Sequence, residues 1–288
     1  GHLVLDLAAG TLDVARGLLE RFVRFRDSRS RQTQLRERRL VHMENPHLAA
    51  LEIRLSPENW SGTVEVETAL EGRVKNDGVA RYRGLSPHHL EAITEEPVDE
   101  ETLHLKMQTV QSKLRISQSA RTQLFLNDRL LQPERQAVQA PGFVAHRFSA
   151  DLSGGDEARL EKVMCLHTSR DPAISECGLE SRNGAKSAGG FDDLLERHAL
   201  AWRHLWRRFN VHFERTDDPD DHPTAMVLRL NIFHRLQTAW QPVRHPDTTR
   251  KPDGTQPRAH RAASHPAPCR SRRRCIRLPT CTPGSDSL

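Results

Sequence analysis

The residues of this 288-residue chain whose types and spacing could do chemistry form a few small groups. Asp217, Asp218, Asp220 and Asp221 could ligate calcium or magnesium. They lack the alternating spacing and the glycine of a calcium loop, so a solvated acidic loop is the favoured reading. His88-His89 follows Pro87 between strand-like segments and reads as a surface loop. Cys269, Cys275 and Cys281 are evenly spaced, but a zinc site needs closer pairs and a fourth ligand. Asn59-Trp60-Ser61 matches a glycosylation acceptor, yet no signal-peptide layout precedes it and a turn is the simpler reading. Arg270 and Arg272 to Arg274 could contact phosphates, on a signal that is compositional only.

The elements that would position such groups change character along the chain. From residue 3 to about 170 the dominant period is two. Leu51-Glu52-Ile53-Arg54-Leu55 alternates, as do Val64-Glu65-Val66-Glu67 onward to Leu70, Leu103 to Met107, and Leu114 with Ile116. Each reads as a strand with one face in a core and the other in water. Phe143 to Leu152 and Leu160 to Leu166 are further strands. Turn residues separate them at Asn59 to Gly62, Lys75 to Gly78 and Ser153 to Asp156. Many strands with no helix between them predict a mainly β protein, an antiparallel β-sandwich, with Val64, Val66, Leu70, Leu103, Leu105, Leu114 and Ile116 facing its core.

Asp171-Pro172 then reads as a helix start, leading into a poor helix from Ala173 to Ala188 interrupted by Gly178 and Gly184. A stronger helix follows from Phe191 to Phe209. Phe191, Leu194, Leu195, Trp202, Leu205, Trp206 and Phe209 lie on one stripe, with Asp192 and Asp193 in the first turn and Arg207 and Arg208 in the last. Two tryptophans on one stripe require something large to dock on. Val211 to Phe213 is a candidate short strand, and Asp217 to His222 an acidic loop. Ala225 to Leu236 is apolar on nearly every side, the pattern of a helix buried in a larger helical assembly.

Charge divides the chain. Of 43 basic and 38 acidic residues, residues 239–288 hold ten of the basic and three of the acidic, a net of +7; residues 1–238 keep 33 against 35, a net of −2. The foldable part therefore carries no nucleic-acid footprint. The last fifty residues contain eight prolines and no periodicity, and are expected to be disordered or the product of a shifted reading frame beginning near Thr238. The chain opens on Gly1 rather than methionine, which points to a fragment or a processed product. The five cysteines form neither a disulfide framework nor a C-x-x-C pair. No apolar run approaches ~18 residues, so no membrane span is expected and a cytoplasmic location is.

Several stretches, in order, resemble one known family. They are Arg38-Arg39-Leu40-Val41, His47-Leu48-Ala49-Ala50-Leu51, Asn59-Trp60-Ser61-Gly62, and Asn76 through Val79-Ala80-Arg81-Tyr82. Thr168-Ser169-Arg170-Asp171, the helix from Ala201-Trp202 to Trp206-Arg207-Arg208-Phe209, and Phe233-His234 to Leu236-Gln237-Thr238 continue the series. Over roughly residues 3–238 the chain resembles the N-terminal part of glycoside hydrolase family 65, the maltose, trehalose and kojibiose phosphorylases and related hydrolases. The resemblance implies a galactose-mutarotase-like β-supersandwich over 1–170, a helical linker over 171–222, and the first helix of an (α/α)6 barrel at 223–238, with the tail 239–288 outside the pattern. It implies an α-linked glucose disaccharide as substrate of the intact enzyme, inorganic phosphate as a co-substrate in a phosphorylase, and a homodimer.

The family carries its catalytic glutamate and phosphate-binding loop deep in the barrel, beyond the point where the pattern here stops. No catalytic, cofactor-binding or metal residue is therefore assigned. Inverting cleavage needs a carboxylic acid on the leaving oxygen and a nucleophile, activated water or phosphate, on the opposite face. A sandwich with one barrel helix is expected to lack that pair and to be inactive. The alternative reading is a stand-alone carbohydrate-binding or dimerisation module. Exposed coplanar aromatics would mark carbohydrate binding, with Trp60 and Tyr82 the nearest candidates.

Overall fold

The structure is a computed structural model and describes residues 4–74, 88–172, 174–209 and 223–239. Alternating sequence becomes a long antiparallel meander. The strands are β1 (Val4–Asp13), β2 (Leu18–Arg26), β3 (Gln32–Val41), β4 (Leu48–Pro57), β5 (Gly62–Glu71), β6 (Leu90–Pro97), β7 (Thr102–Thr109) and β8 (Arg115–Leu126). They continue as β9 (Arg129–Leu131), β10 (Gln136–Ala140), β11 (Phe143–Leu152) and β12 (Ala158–Thr168). The large sheet runs β1-β2-β3-β4-β12-β8-β7-β6, with β9 paired to β8; a small sheet, β10-β11-β5, faces it. Every described strand pair is antiparallel.

The alternating positions meet between the two sheets, where Leu70, Leu103, Leu105, Met107, Ala120 and Val144 form one buried cluster. Each such Leu- or Val-sized side chain contributes about 1.5–3 kcal/mol by leaving water. Val64, Val66, Leu114 and Ile116, also expected in this core, are only half-buried. The small sheet has three strands and packs on the β8-β7-β6 end of the large sheet.

The other face of the large sheet is not in water. Helices α1 (Cys177–Ser187) and α2 (Phe191–Phe209) lie across it. Leu18, Leu40, Leu48, Ala50, Val163 and Cys165 of the sheet pack against Ala185, Phe191, Leu194 and Leu195. This corrects the one-sided reading of the strands. His104, Ser117 and Glu52, which alternation puts at the water face, are all buried, and Ser119 is buried beside them. Ser117 and Ser119 hydrogen-bond Ser181 of α1 at 2.7 and 3.0 Å, which satisfies them there.

The helix start is also corrected. Asp171 does not cap a helix: its Oδ2 turns back to accept from Thr168 N at 2.7 Å and closes the turn after β12. Glu176 is the N-cap, in extended conformation, accepting from Leu179 N at 2.7 Å. Gly178 and Gly184 do not interrupt α1. A Cβ at Gly184 would lie 2.4 Å from Cys165 Sγ, so the missing side chain is what lets the helix approach β12.

The Trp-bearing helix spans the expected residues. Trp202 and Leu205 meet Met43 and, from α3 (Pro223–Ala239), Phe233 and Leu236. Trp202 stacks on Phe233 with ring centroids 4.7 Å apart. Phe209, expected on the buried stripe, is 45% exposed, because the stripe outruns the sheet beneath it. The opposite side of α3, with Met226, Val227 and Leu230, is exposed. The expected turn at Lys75 to Gly78, the stretch Asn76 to Tyr82, the strand at Val211 to Phe213, the acidic loop at Asp217 to His222 and residues 240–288 lie outside the described residues.

Candidate functional site

Several grooves and one side-chain cluster gather polar groups among the described residues. The first groove, of about 520 Å³, opens on the helix-covered face of the large sheet where α2 begins. Alternation places Arg38 of β3 and Glu52 and Arg54 of β4 on this face, and α2 brings Asp192 over them. Arg38 grips Glu52 with Nε and Nη2 at 2.7 and 2.8 Å, and its Nη2 also reaches Asp192 Oδ1 at 2.8 Å. Arg54 donates to Glu52 at 3.0 and 3.2 Å and to Glu157 at 2.6 Å. Burial alone would raise the Glu52 carboxyl, but the two arginine forks outweigh it and hold it below the usual range. Glu161, buried nearby, pairs with Arg159 and accepts from Phe191 N at 3.1 Å. These carboxylates are acceptors already filled by guanidinium. A general acid for glycoside cleavage needs its pKa pushed upward, and this environment pushes Glu52 the other way.

The second groove, of about 630 Å³, opens on the opposite face of the large sheet beside α3. Its walls include Leu12, Leu19, Val41, Leu51, Met164 and Phe233. Lys162 also lines it; burial lowers this ammonium to about 8, and its Nζ donates to Ala69 O at 2.7 Å. Glu37, Arg39, His234 and Gln237 complete a lining that is mostly apolar.

The cluster is His47, His167 and Asp171. His47 immediately precedes β4, His167 is near the end of β12, and Asp171 sits in the turn that follows. The rings stack 3.9 Å apart at 14°. Asp171 Oδ2 lies 3.5 Å from His167 Nδ1 and 3.8 Å from His47 Nδ1. One ligand atom from each of the three residues falls within 4.8 Å of the others, the donor set of a small cation. Linear spacing shows only the His167–Asp171 step; the β4–β12 ladder brings His47 across from 120 positions away (167 against 47).

The motifs singled out in the sequence have structural duties. Asn59 accepts from Gln32 N at 2.7 Å and donates to Ser30 O at 3.1 Å, so it locks a turn. Trp60 donates to Gln32 O at 3.0 Å, and Arg31 covers its ring at 5.2 Å, so it is not an open sugar platform. His88 and His89 are exposed. Cys165 and Cys177 are buried free thiols; burial pushes Cys165 to about 11, where it is no nucleophile. Cys269, Cys275, Cys281, Arg270, Arg272 to Arg274 and Tyr82 fall outside the described residues. No helix among the described residues is long and apolar enough to cross a membrane.

Residues 8–205 match the glycosyl hydrolase family 65, N-terminal domain. An uncharacterized glycosyl hydrolase of Mycobacterium tuberculosis is 33% identical over 228 residues, which is 79% of this chain and 17% of that protein. A kojibiose phosphorylase of Thermoanaerobacter brockii is 22% identical over 233 residues, 79% of this chain and 29% of its own. A solved human-microbiome protein assigned as a kojibiose phosphorylase superposes with a TM-score of 0.62 at 13% identity, covering 82% of this chain and 30% of that one. The chain thus spans less than a third of the length of these relatives.

Proposed function

Because the chain belongs to glycosyl hydrolase family 65 through its N-terminal domain, we propose that it holds the non-catalytic sandwich, the linker and the first barrel helix, α3, of an enzyme that cleaves α-linked glucose disaccharides. In that reading the intact enzyme works by phosphorolysis, with inorganic phosphate as co-substrate, or by hydrolysis. The sandwich serves as the platform on which the barrel is built. One observation carries this: the buried carboxylates beside the sugar-sized charged groove are neutralised by arginine, Glu52 by Arg38 and Arg54 and Glu161 by Arg159. They are thereby removed from acid–base work. In support, α3 docks on α2 through Phe233 and Leu236 while Met226 and Val227 face outward, as a first barrel helix would before its neighbours pack on it.

The test is the purified 288-residue chain incubated with maltose, trehalose or kojibiose, with and without phosphate. Neither glucose nor glucose 1-phosphate is expected above a heat-killed control. Release of either sugar above that control, from a preparation free of host enzymes, overturns the reading.

A further inference from the structure

We propose that His47, His167 and Asp171 form a zinc-binding clip that ties the start of β4 to the turn leading into α1. Zinc takes imidazole nitrogen at about 2.0–2.1 Å and carboxylate oxygen at about 2.0–2.2 Å, which puts neighbouring ligand atoms roughly 3.3–3.5 Å apart in a tetrahedron. Asp171 Oδ2 lies 3.5 Å from His167 Nδ1, at that spacing, and a ring nitrogen of His47 falls within 4.8 Å of the other two ligand atoms. Closing the set on a cation turns the stacked rings so that their in-plane lone pairs converge.

Two further features point to a ligand. His167 Nδ1 is buried and has no hydrogen-bond partner, an arrangement that is costly unless something fills it. The two imidazoles stack 3.9 Å apart beside Asp171, which brings ring nitrogens from two distant stretches of chain to one carboxylate. The supporting bonds are in place as well. Thr168 N donates to Asp171 Oδ2 at 2.7 Å, and His47 Nδ1 donates to Leu166 O at 2.9 Å, which fixes that ring and leaves its Nε2 as the ligand atom. The side chains of His47 and Asp171 are 32% and 24% exposed, so an ion can enter and water can complete the coordination. With two nitrogens and one carboxylate, the site suits zinc over magnesium or calcium, which take oxygen ligands.

The experiment uses the full chain stripped with chelator, titrated with ZnCl2 by calorimetry and followed by thermal unfolding. One saturable site with micromolar or tighter affinity is expected, with a raised Tm, while Mg2+ and Ca2+ at the same concentration leave Tm unchanged. His167→Gln and Asp171→Asn are each expected to weaken that site at least tenfold. Other histidines and cysteines could capture zinc, so the site is also read without a variant. Saturating zinc should protect His47 and His167 of the wild-type chain from acylation by diethylpyrocarbonate, quantified by peptide mass. Unchanged affinity in both variants, or acylation of both histidines at the same rate with and without zinc, overturns the proposal.

Discussion

Replacing Gly184 by alanine separates helix propensity from packing. In an isolated helix the change stabilises by about 1 kcal/mol. In this fold the new methyl lands 2.4 Å from Cys165 Sγ and 3.3 Å from Cys165 Cβ. Restoring ordinary contact would lift α1 from β12 by roughly an ångström, an overpacking that costs about 1–3 kcal/mol. The helix is not free to lift. Ser181 is bonded to Ser117 and Ser119, Lys106 to Glu176 at 2.5 Å, Arg182 to Glu96 at 2.7 Å and Lys186 to Asp99 at 2.7 Å. The strain is therefore expected to cancel or exceed the propensity gain, leaving a net loss of up to about 2 kcal/mol, or up to roughly 8 °C in Tm for a domain of this size. Urea unfolding followed by tryptophan fluorescence reads it directly. Cys165→Ala removes the clashing sulfur, so Gly184→Ala should be less harmful in that background, with a coupling of about 1 kcal/mol in the double-mutant cycle. A Gly184→Ala variant stabilised by the full helix-propensity gain of about 1 kcal/mol, or a coupling of zero, refutes the argument that close approach is what this glycine provides.

Three further outcomes follow from the buried groups. Burial holds His42 and His104 at about 4, well below the usual 6.5. Above pH 6.5 both are neutral folded or unfolded and full stability is present. As pH falls toward 4 the unfolded chain takes up protons that the fold refuses, so stability is lost by up to about 1.4 kcal/mol per pH unit for each histidine. Urea midpoints at pH 7.5, 6.5 and 5.5 should fall, and His104→Gln should flatten the fall; a flat wild-type profile contradicts this. Glu52→Gln leaves the Arg38 and Arg54 forks facing a neutral amide, an expected loss of about 3 kcal/mol in urea unfolding, at the low end because Asp192 and Glu157 remain as partners. Gly17→Ala adds a Cβ at φ +63°, 2.0 Å from Trp202 Nε1. Left-handed strain of about 1–2 kcal/mol and a core clash of about 1–3 kcal/mol should together lower Tm and shift Trp202 emission; an unchanged melt argues against both.

Much of the framework is local and was therefore legible in the sequence. Strand period depends on neighbours two residues away, so Leu103, Leu105 and Met107 announce a buried face, and β11 spans the residues its pattern marked. The α2 stripe is legible for the same reason: Phe191, Leu194, Leu195, Trp202 and Leu205 repeat at helical spacing, and all are buried. What the pattern could not carry was the second partner of each element. Nothing near His104, Ser117 or Glu52 records that α1 and α2, far along the chain, cover their face, so polar residues that read as solvated are buried. Glycine at 184 reads as a helix breaker because propensity is local, whereas its use is the 2.4 Å gap to a strand nineteen residues earlier (184 against 165). His47 and His167 are juxtaposed by the β4–β12 pairing alone, since a hydrogen-bonded ladder sets which distant residues become neighbours and side-chain alternation does not.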